Sequence, residues 1–158
     1  MERLPIIGTY HQRRNSACGP ASLVICYRSL GLHLKEKTVC DDIVINNGAG
    51  AEWDDLVLHA IQNGFNVSYK SEATIYDLMG EYFAGHPTII SYDLQMEGLP
   101  LGYHYSVIKS IDVNQVVLSD PADNKFTTWP TYTFNQYWKD DAVQRAYLAL
   151  SFPNEKRI

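Results

Sequence analysis

Charge is scarce in this chain, and positive charge scarcer. Only 20% of its residues are Asp, Glu, Lys or Arg, and 13 Lys and Arg stand against 18 Asp and Glu, a formal net charge of −5. A general nucleic-acid surface needs a basic excess to neutralise phosphates, so no nucleic-acid partner is expected, and the one basic pair, Arg13-Arg14, is local. No stretch reaches the roughly 20 apolar residues that cross a bilayer, and the opening Met1-Glu2-Arg3-Leu4-Pro5 has no apolar run of an export signal. A soluble, cytoplasmic protein is the expectation. Cysteine is limited to Cys18, Cys26 and Cys40, an odd number without a close pair, which speaks against a disulfide framework and a zinc motif. His11, His33, His59 and His86 show no ligand spacing with cysteine or carboxylate partners, so neither a metal nor a cofactor is expected. Repeats and low-complexity segments are also absent.

What is present suffices for a packed core. Of 158 residues, 46% are hydrophobic and 12% aromatic, enough apolar surface to offset the entropy of ordering the chain, and the length fits one domain over residues 1–158. The character of the sequence changes near residue 86. Before it, helices are predicted. One starts at Cys18-Gly19, with Pro20 in its opening turn, an apolar stripe of Ala21, Val24, Ile25 and Leu30, and Gly31 to close it. A second runs from about Trp53 to Asn63, with Asp54 and Asp55 in its first turn and Gly64 as its stop. In a third, Thr74 is the cap, Ile75, Leu78, Met79, Tyr82 and Phe83 form a core stripe, and Gly85 with Pro87 ends it. After residue 86, strands are predicted at Thr88 to Tyr92, Tyr103 to Ile111, Gln115 to Ser119 and Arg145 to Phe152, with a short helix after Thr133. Asp93 to Gly102 reads as an exposed loop leading into His104. The fold class is α+β, an N-terminal helical half packed on a C-terminal antiparallel sheet.

Cys18 enters a helix, where unpaired amides and the helix dipole favour a thiolate. A thiolate nucleophile needs a proton shuttle, the task suited to histidine. His104 begins one strand, and Asp120, 16 residues on, ends the next. If Asp112-Val113-Asn114 is a three-residue loop with Asn114 left-handed, Ile111 faces Gln115 and His104 faces Ala122. Asp120 then shares the face of His104 at a diagonal that long side chains bridge. Gln12, six residues before Cys18, has an amide that can join the Cys18 backbone N–H in stabilising an oxyanion.

Gln12, Cys18-Gly19-Pro20-Ala21, His104-Tyr105-Ser106-Val107 and Asp120-Pro121, in this order and spacing, resemble the bacteriocin-processing cysteine peptidases of the papain-like superfamily. The likeness runs from about Gln12 to Leu150, and the Phe134 to Trp138 segment and the following strand also look like that family's closing elements. The resemblance implies a papain-like fold with Cys18 as nucleophile, His104 as base, Asp120 as its orienter and Gln12 as oxyanion donor, acting on a peptide or protein. Many relatives are front domains of export transporters that cut leader peptides after paired glycines. This chain has neither a membrane span nor an ATPase phosphate loop.

Each residue also has a blander reading. Cys18 could be a small core residue, His104 a satisfied histidine, Asp120 a turn former before Pro121, and Gln12 a solvated loop residue. Cys26 and Cys40 read as core. Arg13 and Arg14 are a solvated pair or a contact for an acidic substrate. Trp53, Trp129 and Trp138 belong to the core or to a substrate groove. Three activities suit the same site: hydrolysis of a peptide or isopeptide bond, acyl transfer or glutamine deamidation, and peptide binding without catalysis.

Overall fold

The computed structural model describes residues 3–14, 16–43, 51–93 and 103–153. Its elements, in chain order, are α1 (Cys18–Ser29), α2 (Glu36–Asp42), α3 (Trp53–Gln62), β1 (Asn66–Lys70), α4 (Ile75–Phe83), β2 (Thr88–Asp93), β3 (Tyr103–Ile111), β4 (Gln115–Asp120), β5 (Lys125–Pro130), α5 (Thr131–Tyr137) and β6 (Tyr147–Ser151). The strands form one sheet in the order β1-β6-β2-β3-β4-β5, every neighbouring pair antiparallel. This is the α+β class expected.

Alternation along the strands gives the sheet two apolar faces. Ile89, Val107, Leu148 and Leu150 join α1 and α3 in one core, whereas Ile90, Ile108, Leu118 and Ala149 join Leu78 of α4 and Phe134 of α5 in the other. Helix α1 lies against β2 and β3 with α2 and α3 beside it, so Gly19 to Tyr27 are buried all round rather than along the predicted stripe. Cys26 and Cys40 are buried, as expected.

Helix α4 starts as its capping residues dictate. The Thr74 hydroxyl accepts a bond from the Asp77 N–H (3.1 Å), and the Asp77 carboxylate accepts one from the Thr74 N–H (2.8 Å). Its predicted core stripe is only partly inside. Leu78 is buried and Ile75, Met79 and Tyr82 pack on the core, but Phe83 is 53% exposed. At its end Gly85 adopts φ +86°, and a Cβ there would run into the Arg3 carbonyl oxygen. Gly85→Ala is therefore expected to cost about 2 kcal/mol, from the left-handed backbone and the collision together, read as a lower urea midpoint at unchanged m-value.

Three elements escape the periodicity of the sequence. β1 and β5 are the edges of the sheet and carry mostly exposed residues, so neither shows an apolar alternation. α2 has seven residues, too few for a helical stripe to register. β6 begins at Tyr147, not Arg145, because Arg145 has φ +48° and cannot continue a strand. The predicted loop from Asp93 to Gly102 lies, after Asp93 itself, outside the described residues.

The β3–β4 hairpin corrects the predicted turn. Ile111 pairs with Val116, not Gln115, and Asn114 is not left-handed. Instead the Asp112 carboxylate accepts bonds from the N–H groups of Asn114 (2.7 Å) and Gln115 (2.8 Å), which holds the turn from its first residue. A bulge between Ile108 and Ser110 then moves the register by one, to Ile108 with Leu118 and Val107 with Ser119. Continued outward, this register sets His104 opposite Ala122, the pairing expected for a different reason.

Candidate active site

Cys18 is the first residue of α1, and its sulfur sits where the helix meets β3. The close approach is possible because the next residue is Gly19: a Cβ there would lie 3.3 Å from Ala51, Leu56 and Tyr105 side-chain atoms, tighter than side chains ordinarily pack. Tyr105 is braced from behind by the Trp53 ring, edge-on at 4.9 Å, and the Trp53 indole N–H donates to Asp140 (2.6 Å).

The structure brings Cys18, His104 and Asp120 together in that order. His104 Nε2 lies 2.6 Å from Asp120 Oδ1, and the Cys18 thiol interacts with the same imidazole. With Nε2 taken by the carboxylate, Nδ1 is the nitrogen that faces sulfur. Asp120 is fixed in turn: its Oδ1 accepts the Ala122 N–H (2.9 Å) and its Oδ2 accepts the Tyr92 hydroxyl (3.2 Å). The Tyr92 ring also stands edge-on to His104 at 5.6 Å. Tyr92 was not foreseen, since one more aromatic in a strand reads as core.

Electrostatics follow from these contacts. Burial alone would push the Cys18 thiol up, but the bond to His104, its charge and the backbone N–H groups of Tyr105 and Gly19 outweigh it and hold the pKa below the thiol range. Burial would lower His104, yet the bonds to Asp120 and Cys18 push it up to about 10. Asp120 is likewise held below the usual carboxylate range against the effect of its burial, chiefly by His104. Opposite shifts of this kind favour a thiolate beside an imidazolium.

Gln12 lies on the segment before α1. Its backbone N–H donates to the Pro121 carbonyl (2.8 Å), immediately after Asp120, and its side-chain amide donates to the Arg14 carbonyl (2.8 Å). The side chains of Arg13 and Arg14 are exposed, while their backbone N–H groups both donate to Glu36 of α2. Glu36 is 3% exposed and also accepts the Tyr10 hydroxyl (3.1 Å). In the sequence, Glu36 between Lys35 and Lys37 has the look of a solvated helix start, and no local pattern marks it out. Trp53, Trp129 and Trp138 are buried in the two cores.

Among the described residues no cluster of His, Cys, Asp and Glu could hold a metal ion, and no helix is long and apolar enough to cross a membrane. No curated protein matches the chain. A profile of the peptidase C39 family matches residues 7–146. Among solved structures, the peptidase domain of ComA from Streptococcus, a bifunctional ABC transporter of a quorum-sensing pathway, is similar over 93% of this chain and 99% of its own (TM-score 0.76, 19% identity). A double glycine motif protease from an AMS/PCAT transporter, solved with its leader peptide, is similar over 96% of this chain and 100% of its own (TM-score 0.74, 16% identity). A C39-like peptidase from Bacillus anthracis is similar over 96% and 99% (TM-score 0.74, 14% identity). These likenesses establish the papain-like fold of such domains.

Proposed function

The chain belongs to the peptidase C39 family and is a cysteine peptidase, and from that premise we propose that it hydrolyses a peptide bond through a thioester on Cys18. The observation that supports this most is the order of sulfur, imidazole and buried carboxylate, with His104 Nε2 2.6 Å from Asp120; the directions in which Cys18 and His104 are shifted agree with it. The Cys18 thiolate attacks the scissile carbonyl carbon, and the charge that develops on oxygen is met by the Cys18 backbone N–H and the Gln12 amide. The amide nitrogen carries two hydrogens, so donation to the Arg14 carbonyl and to an oxyanion are compatible. His104 Nδ1 then gives its proton to the leaving amine as the C–N bond breaks and the thioester remains. A water next attacks the thioester while Nδ1 takes its proton, the acid leaves, and the thiolate and imidazolium are restored. Asp120 keeps Nε2–H engaged throughout and so fixes the ring orientation.

The substrate to offer first is a peptide with paired glycines, because one structural relative is named as a double glycine motif protease bound to a leader peptide. Incubated with a diverse peptide mixture spiked with Gly-Gly peptides, the protein is expected to create new termini after paired glycines, identified by mass spectrometry. Protein blocked with iodoacetamide serves as control. Failure to cut any peptide would overturn the proposal. Amide rather than free acid in the presence of an added amine would replace hydrolysis by acyl transfer.

A further inference from the structure

Gln12 sits between two anchored peptide groups. The N–H on its own side bonds to the Pro121 carbonyl at 2.8 Å, and the N–H that follows it, on Arg13, bonds to both oxygens of Glu36 at 2.8 and 3.1 Å. A third anchor, the Arg14 N–H, reaches Glu36 at 3.2 Å. The backbone dihedrals of Gln12 are thereby set from both ends, and with them the direction in which its side chain leaves the chain. Glu36 is an unusual choice for a purely structural peg. It is 3% exposed, and no Lys or Arg among the described residues forms an ion pair with it. Its carboxylate is met instead by two backbone N–H groups and the Tyr10 phenol, whose ring lies under the Arg28 guanidinium at 4.8 Å. Burying a carboxylate is costly unless every oxygen is bonded, and an apolar residue would fill the space without that cost. A carboxylate alone accepts several converging N–H groups at one point.

We infer that Glu36 is a positioning residue for the oxyanion donor: it holds the Gln12 segment of the loop at residues 10–14 so that the amide is aimed at the developing charge before substrate arrives. The inference rests on the proposed role of Gln12 and extends it to a side chain on α2, 24 residues away in sequence. An oxyanion donor contributes only when it is preorganised, and displacement of about 1 Å can cost on the order of 100-fold in rate. Glu36→Gln isolates this function. The amide keeps one acceptor: with its NH2 at the Oε2 position the Arg14 N–H loses its partner, and with its NH2 at the Oε1 position the Arg13 N–H loses the shorter of its two bonds and keeps the one at 3.1 Å, so the anchoring is weakened whichever way the amide turns.

The test is a double-mutant cycle on cleavage of the peptide found in the search above. Gln12→Ala is expected to lower kcat about 100-fold, as loss of one oxyanion donor does, and Glu36→Gln about 10-fold, each with KM within about twofold. In the double variant the second change should add less than about twofold, because Glu36 acts through Gln12. The rate of Cys18 alkylation by iodoacetamide should stay within about twofold of the parent in all three, since the thiolate owes nothing to this loop. A Glu36→Gln effect that multiplies in full with Gln12→Ala, or that slows alkylation equally, would make Glu36 a general structural residue and overturn the inference. If Gln12→Ala lowers kcat and Glu36→Gln does not, the inference fails while the oxyanion role stands; if Gln12→Ala changes nothing, that role fails and the inference with it. Should Glu36→Gln not fold, Glu36→Asp, which keeps the charge but withdraws it by one methylene, supplies the same comparison with the same outcomes.

Discussion

Cys18→Ala is expected to lower kcat by about 10⁵-fold or more, to the level given by bound substrate and remaining hydrogen bonds alone. Neither of the other two cysteines can replace the sulfur. Cys26 and Cys40 are buried, and burial pushes both thiols up, Cys26 beyond any useful pH, so neither offers a thiolate at neutrality. The methyl side chain of alanine fits wherever the thiol does, so the fold and peptide affinity should persist. The check is a pair of measurements on one preparation: single-turnover cleavage, and a dissociation constant for the uncut peptide by calorimetry. Binding within about threefold of the parent together with lost cleavage assigns the chemistry to Cys18, whereas residual cleavage within 100-fold would remove Cys18 from the mechanism.

His104→Ala is expected to act twice. Cleavage should fall by about 10⁴-fold or more, because the leaving amine loses its proton donor and the thioester its base. Alkylation of Cys18 should fall as well, and in a pH-dependent way. In the parent, the Cys18 pKa is held below the thiol range while His104 is held at about 10, so the ion pair persists from the lowered Cys18 value up to about pH 10. Without His104, burial is left as the main influence and the thiol rises. An ordinary thiol of pKa about 8.5 is only about 0.3% ionised at pH 6, so alkylation at pH 6 should drop by about 100-fold in His104→Ala. The parent should show one more asymmetry. Above about pH 10 cleavage declines as the imidazolium loses its proton, while alkylation, which needs only the thiolate, does not. Alkylation at pH 6 that is indifferent to His104→Ala would end the ion-pair account.

Much of this arrangement is legible in residue order, although the turn that leads to it is not. Cys18-Gly19-Pro20-Ala21 carries its own helix start, and Thr74 with Asp77 carries its cap, since caps are local chemistry. A count through a three-residue loop puts Asp120 on the face of His104. The chain makes a longer turn around the Asp112 carboxylate and recovers the count at the bulge before Ser110. Two departures of one residue cancel, and a bulge leaves no signature in apolar alternation. The edge strands β1 and β5 were hidden because half-solvated edges need no apolar side. Glu36 and Tyr92 were hidden for another reason: their partners, at Arg13, Arg14 and Asp120, lie far off along the chain, and nothing in a neighbourhood of ten residues encodes them.

That separation has a consequence for how the molecule comes into being. While the residues after α3 are still being translated, helix α1 can form and present Cys18, but the imidazole that ionises it does not yet exist. The nascent thiol is then an ordinary one, slow toward peptide bonds and toward electrophiles alike. Reactivity is acquired late, when the hairpin bearing His104 and Asp120 closes against the helix, so an unfinished chain carries no cutting edge.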